Sequence, residues 1–265
     1  MSRRQSWIGL GVAALVAAAP AFAAGEMVLL PAGQYRPQYG SAAQKVDVAS
    51  FWLDIHPVTN GEFLAFVRGV PKWRRATVPP LFADESYLSH WEGDLIPGAL
   101  APAEAPVTNV SWFAAKAYCA NQRKRLPTMD EWERAAATGI DQPIPADRDA
   151  FNRRILDWYS EPTRLPLPAV GYSFANHWGV WDLHGLVWEW VSDFNALMTT
   201  GASRKDAGGL DRQLFCAAGS VGSADPGDYA AFMRYAMRGS VKARYAIQNM
   251  GFRCARDGTV DQEEK

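Results

Sequence analysis

Residues 212–238 gather side chains suited to chemistry. Cys216, Ser220 and Tyr229 are nucleophilic or redox-capable, and Asp225, Asp228, Arg234 and Arg238 surround them with charge. The charged members fit a solvated loop tied by salt bridges, or a surface that binds a polar substrate or partner. The chain has three cysteines, Cys119, Cys216 and Cys254. In an oxidising compartment an odd count implies one bridge and one leftover thiol, and spacing does not say which two pair. Cys216 fits a reactive thiol, a soft ligand or a small buried hydrophobe. His56, His90, His177 and His184 show no H-x-x-H spacing and suit structural or surface positions. His90 is the exception, because it lies in a long loop and loops that line a cleft often carry function.

These residues need an exported, self-supporting scaffold, and the N-terminus predicts one. Arg3 and Arg4 precede an apolar run from Trp7 to Ala19, and Ala21-Phe22-Ala23 offers small residues at the positions a signal peptidase reads. Residues 1–23 are expected to be a signal peptide, which places the mature protein in the periplasm. The run is shorter than the roughly 20 residues a membrane span needs, so no span is expected after cleavage. The remainder is long enough to bury a core without staples. With 27 basic against 28 acidic residues, nothing points to nucleic acid or a charged membrane surface. The 11 Trp predict an irregular, loop-rich interior, since each brings a large ring and an N–H that needs a partner. No Pro/Gly/Ser linker divides the chain, so residues 24–257 are expected to form one domain and 258–265 a frayed, charged tail.

Strands are expected over 27–33 and 46–53, with short late ones at 214–220 and 250–255. Thr59-Asn60-Gly61-Glu62 and Thr128-Met129-Asp130-Glu131 are capping boxes that open helices. Ser111 is expected to cap a third helix over 112–122. Residues 71–108 and 140–175, rich in Pro or mixed in polarity, are expected as loops.

Four stretches, in this order, carry a resemblance: Phe51-Trp52-Leu53-Asp54 with Pro57 to Phe63; Pro106 to Trp112 with Lys124-Arg125-Leu126-Pro127-Thr128 and Glu131-Trp132-Glu133; Gly179 to Gly185 with Trp188-Glu189-Trp190; and Gly251-Phe252-Arg253-Cys254-Ala255. The chain resembles the formylglycine-generating enzyme, or sulfatase-modifying factor, superfamily over nearly all of its mature length. The resemblance implies an irregular mixed α/β fold, C-type-lectin-like, with little regular secondary structure. It implies a disulfide between Cys119 and Cys254, closing a loop large enough to contribute a few kcal/mol. It also implies a structural calcium held by Asp182, Gly185, Val187 and Glu189, which suits a hard ion that wants several oxygens. The same two carboxylates could instead be satisfied by backbone N–H groups.

The chain departs from the family after Gly219-Ser220. Family enzymes place two closely spaced cysteines there to bind copper, and a soft Cu(I) ion needs such thiolates. Here residues 221–231 contain no cysteine. Formylglycine formation by that mechanism is therefore not expected. The segment is similar to two cysteine-poor periplasmic branches, one associated with copper nitrite reductase and one with pyoverdine maturation. Two functions follow from the resemblance. One is an oxidoreductase or maturation factor acting on a periplasmic protein or a small aromatic or peptidic substrate. In it Ser220, Cys216, Tyr229 and Trp188 are catalytic, and Asp225, Asp228, Arg234 and His90 bind substrate. The other is a non-catalytic accessory or binding protein for a periplasmic copper enzyme. The redox metal, if one is used, is left open by the sequence.

Overall fold

The computed structural model describes residues 25–37, 45–195 and 228–258. The signal peptide, the strand expected at 214–220, Cys216, Ser220, Asp225 and most of the tail lie outside them.

Among the described residues, short strands and five α-helices hold a loop-rich core, as the family resemblance implies. Pro31 and Ala32 split the first expected strand into β1 (Met27–Leu30) and β2 (Gly33–Tyr35), and Ala49-Ser50 splits the second into β3 (Val46–Val48) and β4 (Phe51–Asp54). β2 and β3 pair antiparallel. β4 lies between β1 and the last strand, β7 (Ala255–Asp257), in an antiparallel sheet. β5 (Trp188–Trp190) pairs in parallel with β6 (Met250–Phe252), opposing Glu189 to Gly251. A Cβ on Gly251 would meet the Val107 carbonyl at 2.8 Å, so this register needs glycine there.

Both capping boxes form. Thr59 opens α1 (Asn60–Gly69), which buries Phe63, Phe66 and Val67, and Thr128 opens α3 (Met129–Ala136). Ser111 caps α2 (Trp112–Asn121). Phe63, Tyr118 and Phe252 meet at centroid distances of 5.3 to 6.2 Å and tie α1, α2 and β6 together. Cys119 and Cys254 are joined by a disulfide with Cα atoms 5.6 Å apart, fixing α2 to the β6–β7 connection. The long loop after α1 is anchored from inside, with Tyr87, Leu88 and Trp91 buried and the Trp91 indole donating to Asn60 Oδ1 at 3.2 Å.

Two stretches differ from expectation. Residues 140–175 are not all loop: α4 spans Arg148–Ser160, capped by Asp147. The prolines of this stretch all lie outside the helix, and the nearest on each side, Pro145 and Pro162, bracket rather than break it. Its polar composition hid it, because Ile155 is its one fully buried residue. Residues 228–240 are not a solvated loop either. Asp228 caps α5 (Tyr229–Ser240), which buries Arg234, Tyr235 and Arg238. No helix among the described residues is long and apolar enough to cross a membrane.

Candidate ligand pocket at Trp188

β5 carries Trp188 and Glu189 to the junction of α3, α4 and α5. Residues one apart on a strand point to opposite sides, so Glu189 is buried and Trp188 is left partly open. Glu189 pairs with Arg253, both side chains fully buried. Arg253 Nε and Nη2 donate to the carboxylate at 2.8 to 3.1 Å, and its remaining donors reach the carbonyls of Asp54 and Trp181. The Trp132 indole N–H completes the set, donating to Glu189 Oε2 at 2.7 Å.

A second buried cluster lies across the Trp132 ring. Arg234 donates through Nε and Nη2 to the Glu133 carboxylate, at 2.8 Å in the shortest contact, and Arg238 Nη1 donates to its other oxygen at 2.5 Å. Burial works against ionisation of Glu133, but the two guanidiniums outweigh it and hold its pKa down at about 2. Both arginines face the Trp132 ring, Arg238 at 4.7 Å and Arg234 at 5.8 Å from its centroid. Burial and then Arg234 push neighbouring His184 down to about 3, so it stays neutral, with Nε2 on the Ala136 carbonyl.

Trp188 is walled by the end of α4. Tyr159 stacks on it at 4.6 Å and 21°, and Trp158 lies at 5.8 Å. These rings, Met237, Met250 and the two arginines enclose a cavity of about 10 Å³, room for one water. Trp158 also lines an adjoining open groove of about 440 Å³, bordered by residues 161–168 and Tyr172.

Of the residues expected to act on or bind substrate, Trp188 and Arg234 line this pocket, and Val187 and Glu189, expected as metal ligands, line it too. Arg234 does not stand in solvent; it is held by Glu133. Tyr229 is 54% exposed, stacked on Phe232 at 5.6 Å, and does not line the cavity. Asp228 is occupied as the α5 cap, with Arg148 at 3.7 Å. His90 lies away from the pocket in the long loop, where burial and then Arg75 lower its pKa to about 4. Trp158 and Tyr159 line the pocket but were hidden inside α4, and the pairing of Glu133 with Arg234 and Arg238 shows only once α3 and α5 are packed together.

The carboxylates expected to hold calcium are spent on protein donors. Asp182 sits at φ 61° beside Gly185 at φ 110°, a turn that closes on residues 171–173. Its carboxylate accepts from the backbone N–H groups of Gly171 and Ser173 and from the Ser173 hydroxyl, at 2.5 to 2.9 Å. Glu189 accepts four bonds from Arg253 and Trp132. Among the described residues no group of three or more His, Cys, Asp or Glu side chains could hold a metal ion. Asp182 and Glu189, with the Gly185 and Val187 carbonyls, do not fit calcium in this arrangement, since both acidic ligands are taken.

Comparison with known proteins identifies the family. The Sulfatase-modifying factor enzyme 1-like domain family matches residues 12–258. A Bos taurus protein named inactive C-alpha-formylglycine-generating enzyme 2 is 30% identical, over 86% of this chain and 87% of its own. The Mus musculus formylglycine-generating enzyme is 25% identical over 88% of this chain and 75% of its own. PvdO from Pseudomonas aeruginosa, a solved structure, is 20% identical, with 87% of this chain and 94% of that one aligned at a TM-score of 0.46. The chain belongs to the sulfatase-modifying factor family, whose model it matches over almost its whole length.

Proposed function

We propose that this protein is an exported maturation factor that binds an aromatic or peptidic substrate against Trp188 and does not generate formylglycine. One observation carries the reading. The Cys119–Cys254 disulfide consumes two of three cysteines, so a single thiol, Cys216, remains where a two-thiolate copper site would need a pair. The bovine relative that aligns over most of both chains is itself named inactive, which supports the same reading. The chain still offers an aromatic cleft, with Trp188 partly open and two arginines behind it.

The test is direct. Mature protein supplied with Cu(I) and oxygen is incubated with a cysteine-bearing sulfatase peptide, and aldehyde is sought by mass and by hydrazide capture. No aldehyde is expected; turnover to aldehyde would overturn the proposal. A second reading is an oxidoreductase that acts through Cys216. The observation favouring it is the same thiol count, which leaves one unbridged cysteine close before the Gly219-Ser220 turn. Loss of substrate oxidation in Cys216→Ser, with binding intact, would move the assignment to that reading.

A further inference from the structure

The two buried ion clusters differ in their charge count. Glu189 faces one guanidinium, and Glu133 faces two. Among the described residues no second carboxylate lies in ion-pair range of Arg234 or Arg238. Tyr159 Oη, 3.4 Å from Arg234 Nη1, is neutral and adds no charge. The Trp132 face offsets part of the excess, since a cation–π contact is weaker than a buried ion pair, and Asp193, which also feels Arg238, is held by the Met129 N–H. In ion-pair contacts the guanidiniums beside the cavity outnumber the carboxylates, and the cavity is walled by Trp158, Tyr159 and Trp188.

We infer that the Arg234–Arg238 pair is an anion site, taking a carboxylate carried on an aromatic scaffold that lies against Trp188 and Trp158. This rests on the substrate cleft proposed above and names its ligand class. A carboxylate suits a guanidinium because it is planar and accepts two parallel hydrogen bonds; the cavity at rest has room for one water, so the carboxylate enters only as Trp158 moves aside. The route runs through Trp158, which separates the closed cavity from the 440 Å³ groove. α4 is weakly held, with Ile155 alone fully buried, so its last turn can yield without disturbing the core. The scaffold remains in the groove while the carboxylate passes the ring.

The test is calorimetric titration of the mature wild-type chain with phenylacetate and with phenylacetamide. A short peptide ending in phenylalanine and its C-terminal amide form a second pair. The acid is expected to bind at least about tenfold tighter than its amide in at least one pair, with the preference shrinking as salt rises. Preference in the first pair identifies a small aromatic acid as the source, and in the second pair alone a chain terminus. Arg238→Lys should keep part of the preference, and Arg238→Gln, if its circular dichroism matches wild type, should erase it. Trp158→Ala should speed association and leave the preference intact. Equal affinity of acid and amide in both pairs, or no binding of either acid, overturns the inference. If equal binding is abolished by Trp188→Ala, the cleft survives and the anion site alone is rejected.

Discussion

Trp132 separates two buried carboxylate–guanidinium clusters that follow different rules. On its N–H side, Glu189 and Arg253 balance in charge and share every strong donor and acceptor with the fold around them. On its ring face, one carboxylate serves two arginines next to a cavity. The first is what a buried pair looks like when its work is structural. Glu189 lies on β5 and Arg253 in the β6–β7 connection, both within the chain's signature segments, and Cys254, next in sequence, is bridged to α2. The second sets two guanidiniums on one carboxylate, the surplus that the proposed anion site would use.

That contrast can be broken by substitution, and the largest effect should come from Glu133→Gln. It leaves two buried cations unmatched and should cost about 3–5 kcal/mol in denaturant unfolding. It should also change the acid limb. Glu133 has its pKa depressed in the fold, so its contribution is complete above its ordinary value of 4.5 and is lost as pH falls toward about 2. Wild type should lose stability through that window, and Glu133→Gln should lose less. Arg253→Met comes next, at about 3–5 kcal/mol, because it strands a buried Glu189 and frees the carbonyls of Asp54 and Trp181. Arg238→Met sharpens the comparison: removing the second of two cations on one carboxylate should cost no more than about 1 kcal/mol, since Arg234 still pairs with Glu133. Equal losses for Arg253→Met and Arg238→Met, read from the same unfolding curves, would erase the distinction. Trp158→Ala should have the smallest effect, within about 1 kcal/mol, because the ring stands on a half-exposed helix end.

Both capping boxes, the Ser111 cap and the buried face of α1 were legible in the sequence because each is set by residues within one or two turns. The Cys119–Cys254 pairing came from family resemblance and not from spacing. What stayed hidden depends on distance or on weak patterning. α4 has one fully buried residue, so no apolar stripe announced it. Asp182 and Glu189 read as metal ligands because their donors lie elsewhere: Gly171 and Ser173 are 11 and 9 residues away and Arg253 is 64. Arg234 and Arg238 read as surface charge because their partner is on α3, 101 and 105 residues earlier. Trp188 was found because its signature segment is local, while the rings that wall it were not.

The central claim is that this family member has one unbridged cysteine and so lacks a copper-binding thiolate pair. Its most direct test is a Cu(I) titration of the mature protein in competition with a chromophoric chelator, paired with a thiol count on the unfolded, unreduced chain. The account predicts one titratable thiol and no copper retained against the chelator. Three thiols, or one equivalent of Cu(I) held against it, would contradict the account.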